Sequence, residues 1–319
     1  MRAAIPRLIC LGLFCAVYLQ ADNWPTWRGP LGTGQSTEKK FPTEWSPKKN
    51  IRWRVPLPER GNSSPVVWGN KVFVTQAIQS QAVRRLICFD RANGRLLWAR
   101  SVKYAEKEPS HRTNPFCSAS PVTDGKRVIV SHASAGLFCY DMEGKEMWRR
   151  DLGRQIHIWG NGVSPVIYKK LCILNFGPGE QTFLIALDIT NGTQKWRHEE
   201  AGGNSGIAKK GERGKWVGSW TTPIIIDGGG GDELLMSYPN RVAAFNPASG
   251  KEVWSCRGLN PLVYTSPLYE NGIVVAMGGF RGTGMGVRAG GKGDVTKTHQ
   301  LWTSPKAKQR IGSGVLTKG

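Results

Sequence analysis

The stretch that decides the fold runs from Ala186 to Trp196 and reads Ala-Leu-Asp-Ile-Thr-Asn-Gly-Thr-Gln-Lys-Trp. A short apolar run precedes Asn191-Gly192, and the run after this pair ends in a large aromatic residue. Two such runs joined by Asn-Gly predict a β-hairpin with a tight turn, because both central residues of that turn favour a positive φ. The stretch therefore predicts two antiparallel strands, the second of which ends at Trp196.

Four more stretches of the chain carry variants of this pattern, and each ends in tryptophan. They are Cys88 to Trp98 with Asn93-Gly94, Cys139 to Trp148 with Glu143-Gly144, Ala244 to Trp254 with Ser249-Gly250, and Asp294 to Trp302. The last stretch keeps the spacing from aspartate to tryptophan but lacks the glycine. Self-similarity of this kind identifies a repeat protein.

Each repeat opens on Ser-Pro or Thr-Pro followed by a β-branched or apolar run. These openings lie at Ser64-Pro65, Ser120-Pro121, Ser164-Pro165, Thr222-Pro223 and Ser266-Pro267. Proline is tolerated at the first residue of a strand, so each pair marks where a strand begins. A turn and a second apolar strand follow, and the hairpin supplies the third and fourth strands. Four antiparallel strands repeating every 44 to 58 residues predict an all-β fold, a β-propeller with four-stranded blades.

The number of blades is harder to read than the repeat itself. Five complete units end at the tryptophans above, and a sixth begins at Ile311 with one strand before Gly319. Ile51 to Leu57 resembles the last strand of a repeat, which suits it to completing a closing blade. We expect five complete blades plus a partial closing blade, in a chain truncated at its C-terminus, with seven or eight blades in the complete protein. A ring of six with an incomplete closing blade is the alternative.

The composition fits such a fold and adds a large positive charge. The 319 residues include 13 Trp and 40 Gly, and 39% are hydrophobic, which is enough for a core. The formal net charge of +21 has two interpretations: a well-solvated surface, or attraction of an anionic partner such as polysaccharide, lipid headgroups or nucleic acid. The basic pairs are scattered, which favours the solvated surface, and no nucleic-acid-binding motif accompanies them.

The N-terminus has the pattern of an export signal. Arg2 and Arg7 precede an apolar run from Leu8 to Leu19, which is too short to span a bilayer comfortably. We expect a signal peptide at 1–21, an N-terminal extended segment at 22–50 and a propeller at 51–319. These boundaries predict a periplasmic or otherwise extracytoplasmic protein with no transmembrane helix in the mature chain.

Five cysteines follow the expected signal peptide, an odd number that leaves at least one free thiol in an exported protein. Cys88 and Cys139 hold the same position in successive repeats. We expect both to be small buried residues rather than partners in a disulfide.

The pattern Ala-x-Asp-x-x-Asn-Gly-x-x-x-Trp resembles the tryptophan-docking repeat of quinoprotein propellers, the family named for pyrroloquinoline quinone (PQQ). The resemblance extends from Trp24 to the C-terminus, and the opening Trp-Pro-x-Trp-Arg-Gly-Pro is similar to the start of exported bacterial propellers of this group. It implies that the tryptophan of one blade docks on the motif of the next. The residues to which it gives this role are Trp53, Trp98, Trp148, Trp196, Trp254 and Trp302, with Gly94, Gly144, Gly192 and Gly250.

The resemblance leaves two functions open. Quinoprotein alcohol dehydrogenases carry adjacent cysteines and hold calcium with Glu and Asn; this chain has no Cys-Cys pair and no such set that can be matched residue by residue. Non-enzymatic relatives include the lipoprotein subunit of the outer-membrane β-barrel assembly machine, which binds other proteins. We therefore expect a non-catalytic binding or scaffold module in the cell envelope, without catalytic residues, metal or cofactor. The alternative is a PQQ-dependent alcohol or sugar dehydrogenase that uses PQQ with calcium.

Propeller ligands usually bind at one mouth of the central channel, on the loops that lead into the innermost strands. The candidates on those loops are His111, Asn114, Trp159, Asn161, Trp220, Tyr264 and Arg310. Such side chains suit stacking on a planar or sugar-like ligand, with hydrogen bonds at its edge. The alternative is that they fill the channel and cap strand ends. As partners we expect envelope proteins or an acidic glycan, no specific nucleic acid, and a monomeric chain.

Overall fold

The computed structural model describes residues 22–39, 41–207, 216–307 and 309–317. The expected signal peptide at 1–21 lies outside these residues. Within them the regular secondary structure is almost entirely β, and five sheets each contain four antiparallel strands from one repeat. The all-β propeller of four-stranded blades that the repeats predict is therefore confirmed.

Blades 1 to 3 each consist of four strands that are consecutive in sequence and pair with their neighbours. Blade 1 contains β1 (Val66–Trp68), β2 (Lys71–Ile78), β3 (Val83–Asp90) and β4 (Leu96–Lys103). Blade 2 contains β5 (Val122–Thr123), β6 (Arg127–Ser131), β7 (Leu137–Asp141) and β8 (Glu146–Arg150). Blade 3 contains β9 (Val166–Tyr168), β10 (Leu171–Phe176), β11 (Phe183–Asp188) and β12 (Gln194–Glu199). Short 3₁₀ turns at Gln79–Gln81 and Ala133–Ala135 connect the second and third strands of blades 1 and 2.

Blades 4 and 5 follow the same plan with additions. Their elements are β13 (Gly218–Ser219), β14 (Ile224–Asp227), β15 (Asp232–Tyr238), β16 (Arg241–Phe245), β17 (Glu252–Arg257), β18 (Leu262–Val263), β19 (Leu268–Glu270), β20 (Ile273–Met277), β21 (Gly284–Arg288), β22 (Gly293–Asp294), α1 (Thr296–His299) and β23 (Gln300–Ser304). Strands β13 and β18 pair in parallel and join the loops that lead into the two blades. Strand β22 comes from blade 5 but pairs in parallel with β17 of blade 4.

Successive blades pack face to face through shared hydrophobic clusters. Phe73 and Leu86 of blade 1 pack in one cluster with Val130 and Phe138 of blade 2. Equivalent clusters join blade 2 to 3, blade 3 to 4 and blade 4 to 5. Burial of apolar area between sheets is therefore the main force that holds each blade against the next.

A small residue pairs directly with the tryptophan that ends each repeat. In blade 1 this residue is Cys88, opposite Trp98, and in blade 3 it is Ala186, opposite Trp196. The ladder shifts register immediately after the small residue in all five blades. A short side chain leaves room for the indole beside it, which explains why this position is Cys, Ala or Gly.

The hairpin loop differs in detail from the expected two-residue turn. In blade 3 only Gly192 of the Asn191-Gly192 pair has a positive φ, of 71°. The N–H of Gly192 donates to the carbonyl of Asp188 at 2.8 Å, and Asp188 Oδ1 accepts the N–H of Thr190 at 2.9 Å. The aspartate side chain therefore stabilises a longer loop, and the prediction of positive φ at both turn residues is wrong.

A relay of Ser and Thr hydroxyls joins the inner ends of the blades. The backbone N–H of each opening residue donates to the hydroxyl of the next, and the distances are 2.9, 2.9, 3.1, 2.9 and 3.0 Å from Ser64 through Ser120, Ser164, Thr222 and Ser266 to Ser313. Each unit contributes one hydroxyl, so these hydrogen bonds link the starts of the innermost strands of successive blades around the channel. Ser313 places the partial sixth unit next after blade 5.

The N-terminal segment lies against the innermost strands of blades 1 and 2, at the ends away from the Ser-Pro pairs that open these repeats. Trp24 exchanges two backbone hydrogen bonds with Val67 of β1, at 2.8 and 2.9 Å, and the N–H of Thr123 donates to the carbonyl of Pro25. The buried guanidinium of Arg28 donates to backbone carbonyls of its own segment and to the carbonyl of Gly314. The segment thus links blades 1 and 2 to the partial sixth unit.

The segment from Ile51 to Leu57 is not a strand, contrary to the expectation from its sequence. Trp53 nevertheless lies on blade 1, where its Nε1 donates to the carbonyl of Arg91 at 2.8 Å. A Cβ added at Gly94 would stand 2.7 Å from the indole ring. Side chains, those of Trp53 and the partly buried Val55, rather than a ladder of backbone hydrogen bonds, attach this segment to the sheet.

Candidate functional site

Aromatic rings meet where the loops before blades 3, 4 and 5 converge. Trp220 stacks on Tyr264, with ring centroids 5.0 Å apart and planes at 24°. Trp159 lies 5.9 Å from Trp220 and 6.2 Å from Tyr264. We call this group the mouth cluster and define it as His157, Trp159, Trp216, Trp220 and Tyr264. It brings together three of the candidates expected from the sequence, Trp159, Trp220 and Tyr264.

His157 is the buried member of the mouth cluster, with 1% of its surface exposed. Its ring meets Trp220 edge-on at 4.6 Å, and its Nδ1 accepts the N–H of Trp159 at 3.2 Å. Because Nδ1 accepts, the proton of the neutral ring belongs on Nε2, which has no hydrogen-bond partner among the described residues. Burial lowers the pKa of His157 to about 4, so the ring is neutral near pH 7.

Trp216 is the outward-facing member of the mouth cluster, with 45% of its surface exposed and its ring 5.2 Å from that of Trp159. Neither Trp216 nor His157 is among the candidates selected from the sequence. The signal that finds them is local: each lies on the same loop as a selected tryptophan, four residues before Trp220 and two before Trp159. Selecting one aromatic residue per loop therefore missed two of the five rings in contact.

The polar candidates lie around the mouth cluster rather than in it. Asn114 Nδ2 donates to the carbonyl of Trp159 at 2.7 Å and so ties the loop before blade 2 to the loop before blade 3. Asn161 Nδ2 reaches the carbonyl of Gln155 in its own loop at 3.5 Å. His111 is exposed on the loop before blade 2. Arg310 is exposed too, and its guanidinium lies 5.8 Å from the ring centroid of Phe280.

A buried thiol and imidazole meet beside blade 2, where Cys117 Sγ, on the loop before β5, is 3.6 Å from Nδ1 of His132, which follows β6. A thiol beside an imidazole is an arrangement that can produce a nucleophile. Here burial raises the pKa of Cys117 to about 12 and lowers the pKa of His132 to about 3. Both groups are therefore neutral near pH 7, and the pair is a packing contact rather than an activated thiolate.

The tryptophans expected to dock between blades take up two arrangements. Trp98, Trp148 and Trp196 reach the next blade, where each Nε1 donates to a backbone carbonyl of the hairpin loop, of Met142, Ile189 and Pro247, at 3.1, 3.0 and 3.1 Å respectively. Their rings lie over the glycine of that loop, Gly144, Gly192 or Gly250. Trp254 instead donates to Glu233 Oε2 in its own sheet, and Trp302 lies over Gly286 of its own sheet.

An arginine two residues after the tryptophan adds to this contact in the early blades. Arg100 Nε donates to the carbonyl of Gly144, and Arg150 Nε donates to the carbonyl of Gly192 at 2.5 Å. Sequence analysis did not single out these arginines. The Trp-x-Arg spacing is the signal, since residues two apart on a strand share one face.

In the described part of the chain, no group of three or more His, Cys, Asp or Glu side chains is placed to hold a metal ion. No described helix is long and apolar enough to cross a membrane. The described cysteines are all buried free thiols, namely Cys88, Cys117, Cys139, Cys172 and Cys256.

Comparison with solved structures finds propellers of two kinds. BamB from Moraxella catarrhalis aligns with a TM-score of 0.56 and 18% identity, over 83% of this chain and 70% of its own. A europium-containing methanol dehydrogenase aligns with a TM-score of 0.61 and 14% identity, over 89% and 58%. The quinohemoprotein alcohol dehydrogenase from Comamonas testosteroni gives 0.58 and 14%, over 83% and 47%. These likenesses establish the fold, and this chain spans about half the length of the two dehydrogenases.

Comparison with curated protein sequences gives no match. Residues 43–115 and 83–256 match a PQQ-repeat family model described as outer membrane protein assembly factor BamB. The match spans well over half of the 319 residues and contains the hairpins that end in Trp98, Trp148, Trp196 and Trp254. The chain therefore belongs to this PQQ-repeat propeller family.

Proposed function

We propose that the protein is a non-catalytic binding module of the cell envelope, exported to the periplasm by its signal peptide at 1–21 and acting as a monomeric scaffold. Its partners are envelope proteins or an acidic glycan. The family match supports this proposal, because the matching family is described as an assembly factor of the outer membrane. The similarity to BamB over 83% of the chain supports it at the level of fold.

The observation that carries the proposal is the outward face of the mouth cluster. Trp216 is exposed, Trp159, Trp220 and Tyr264 are partly exposed, and together they form one aromatic surface. Aromatic residues that are partly buried supply large contact areas with little loss of conformational entropy, and they are enriched where proteins bind partners. The candidates around the cluster, His111, Asn114, Asn161 and Arg310, supply hydrogen-bond donors and charge at its rim.

Trp220 and Tyr264 leave no room between them for a planar quinone. Trp220 and Tyr264 are stacked on each other with centroids 5.0 Å apart, so a third ring cannot enter between them without separating the pair. His157 is buried against the edge of Trp220, with ring centroids 4.6 Å apart, and so offers no open face to a planar ring. We therefore derive no reaction step through PQQ.

Tryptophan docking is the part of the proposal that gives the scaffold its rigidity. Trp53, Trp98, Trp148 and Trp196 fix neighbouring elements by burying an indole on a glycine and by one indole N–H hydrogen bond each. The glycines Gly94, Gly144, Gly192 and Gly250 are required because their φ is positive and because a Cβ would overlap the indole. Trp254 and Trp302 differ, because each contacts a residue of its own sheet rather than a glycine of the next blade.

The first test places a photo-crosslinking amino acid at Trp216 in the full chain, expressed in the cells from which the protein comes. The proposal predicts an adduct with a defined envelope component. The matched control places the same amino acid at Lys251, which is exposed on the hairpin loop of blade 4 at the other end of the strands. Equal crosslinking at both positions would contradict a specific surface at the mouth.

The second test titrates the full chain with PQQ and calcium and follows tryptophan fluorescence and melting temperature. We expect no saturable change, because the mouth rings already fill the space between them. Saturable quenching with a rise in melting temperature, together with dye-linked oxidation of alcohols or sugars, would overturn the non-catalytic proposal in favour of a dehydrogenase.

A further inference from the structure

A polar cleft of about 490 Å³ lies beside the mouth cluster, where blades 1 and 2 meet at the same end of the channel. Its walls include Arg60 and Glu59 from the segment before blade 1 and His111 and Arg112 from the loop before blade 2. Gln79, in the connection between β2 and β3, completes one side. The cleft therefore combines two guanidinium groups and an imidazole with a single carboxylate.

The carboxylate in this cleft is already engaged. Glu59 Oε1 accepts the backbone N–H of Gln79 at 2.8 Å. Arg60 and Arg112 form no ion pair with the described residues. Two guanidinium groups that lack a protein carboxylate are suited to an external anion, which they bind through paired N–H donors.

His111 adds a further donor to the cleft. Its Nδ1 accepts the backbone N–H of Thr113 at 3.3 Å and lies 2.8 Å from Thr113 Oγ1. With Nδ1 acting as acceptor, the neutral ring carries its proton on Nε2. The side chains of Arg60, Arg112 and His111 therefore all carry hydrogen-bond donors in the lining of this cleft.

The loop that lines the cleft and the loop that carries Trp159 of the mouth cluster are in direct contact. Asn114 Nδ2 donates to the carbonyl of Trp159 at 2.7 Å, which joins the loop that lines the cleft to the loop that carries the rings. A Cβ added at Gly160 would stand 3.1 Å from the carbonyl oxygen of Asn114 and 3.7 Å from Ser110 Cα, so the two loops touch along their backbones. A single extended ligand can contact guanidinium groups and indole rings together.

We propose that this surface binds an acidic glycan. Its sugar rings stack on Trp216 and Trp159, and its carboxylate or sulfate groups pair with Arg60 and Arg112. The apolar face of a sugar matches an indole, its hydroxyls accept and donate hydrogen bonds at the ring edge, and its charge matches both the cleft and the net charge of +21. The inference rests on the proposed function, since it takes the mouth to be a binding surface.

The test measures binding of four hexameric probes to the full chain by calorimetry at low ionic strength: a heparin hexasaccharide, hexagalacturonate, uncharged maltohexaose and hexaglutamate. We expect the two acidic sugars to bind at least about tenfold more tightly than either maltohexaose or hexaglutamate, because only they engage both rings and arginines. Their affinity should fall as salt rises. Equal affinity for hexaglutamate would reassign the surface to acidic peptides, and equal affinity for maltohexaose would overturn the role of the arginines.

Matched variants separate a defined site from the general positive charge. The double variant Arg60→Gln/Arg112→Gln should weaken hexagalacturonate binding by about tenfold or more, since it removes the charge-assisted hydrogen bonds to the carboxylates. Arg95→Gln/Lys251→Gln removes the same charge from exposed hairpin positions at the other end of the strands and should change the affinity by less than about twofold. Similar losses in the two double variants would overturn the site.

A second pair of variants tests the aromatic half of the site. Trp216→Ala should weaken hexagalacturonate binding by about fivefold, on the scale of stacking on one aromatic ring, whereas exposed Trp45→Ala should leave it unchanged. The glycan proposal falls if crosslinking at Trp216 captures an envelope protein while no acidic sugar binds, and the proposed function then stands. Saturable PQQ binding at the mouth would instead remove the proposed function.

Discussion

Tryptophan packs between the early blades in one arrangement and between blades 4 and 5 in another. We call each contact between two neighbouring blades a seam. At the seam between blades 2 and 3, Trp148 lies on Gly192 of the next hairpin and donates to the carbonyl of Ile189 at 3.0 Å. At the seam between blades 4 and 5, Trp254 is fully buried but donates to Glu233 Oε2 of its own sheet at 2.8 Å. The first arrangement depends on a glycine in the neighbouring blade, whereas the second depends on a carboxylate in the same blade.

The cause of this difference is the insertion between the third and fourth strands of blade 5. Blade 5 has no short hairpin with glycine at this point. Instead, its strand β22 pairs in parallel with β17 of blade 4, with Gly293 opposite Trp254. Val295, which is buried, follows it and joins the cluster that surrounds Trp254. The tryptophan that ends a repeat is thus buried in one of two ways. Either the hairpin of the next blade covers it, or a strand of the next blade pairs with the tryptophan's own sheet.

Truncation of a docking tryptophan should produce the largest effect. Trp148→Ala removes an indole that is 7% exposed and a hydrogen bond across the seam, so the free energy of unfolding should fall by about 3–5 kcal/mol. Trp302→Ala is the matched control, since Trp302 is 46% exposed and lies over its own sheet; the expected loss is about 1 kcal/mol. Urea unfolding followed by circular dichroism measures both. Equal losses would show that reaching the next blade adds no stability.

Placing a methyl group under the indole should have the next largest effect. Gly192→Ala puts a Cβ 2.7 Å from the Trp148 ring at a φ of 71°, whereas Gly272→Ala has a φ of 79° and no atom within 4 Å of its Cβ. Both variants bear the strain of a left-handed alanine, about 1–2 kcal/mol, and Gly192→Ala should cost roughly 2 kcal/mol more from overlap with the ring.

A double-mutant cycle isolates the contact between Gly192 and Trp148. In a Trp148→Ala background the extra cost of Gly192→Ala should disappear, because no ring remains above the new methyl group. An undiminished cost in that background would locate the penalty in the hairpin itself rather than in the seam.

The parts of the fold that sequence reasoning predicted are those with local signals. The spacing from Asp188 through Gly192 to Trp196 is contained within one hairpin, so the pattern repeats wherever that hairpin repeats. The turn geometry does not follow from Asn191-Gly192 alone, because the Oδ1 of Asp188 accepts the N–H of Thr190 and shapes the loop. The insertion at β22 was missed, because a parallel pairing with β17 across a whole blade leaves no local pattern.

The candidate site shows the same limit. The loops that carry Trp159, Trp220 and Tyr264 follow from the order of the repeats, and the structure brings those three residues together. The neutral, buried state of His157 could not be predicted, because it depends on rings contributed by other loops. The cleft around Arg60 and Arg112 does not follow from the sequence for a related reason: the two arginines are 52 positions apart, and scattered arginines are typical of ordinary surface.

The smallest expected effect belongs to the seam between blades 4 and 5, and it depends on pH. Burial raises the pKa of Glu233, against the hydrogen bond from Trp254, which lowers it. A carboxyl whose pKa is raised by folding supports the folded state most fully when protonated, and that support is lost as pH rises through the folded pKa. Glu233→Gln keeps an oxygen for Trp254 but cannot ionise, so at pH 7 it should raise the free energy of unfolding by about 1 kcal/mol.

The gain from Glu233→Gln should vanish near pH 4 and below, where the wild-type carboxyl is protonated, and urea unfolding at pH 4 and pH 7 measures this difference. Glu106→Gln, a change at an exposed carboxylate, is the control for the altered net charge and should give little gain at either pH. A loss of stability at pH 7 in Glu233→Gln would show that Trp254 needs the charged carboxylate. The seam between blades 4 and 5 would then be held by an ionic hydrogen bond, in contrast to the backbone carbonyl that serves Trp148.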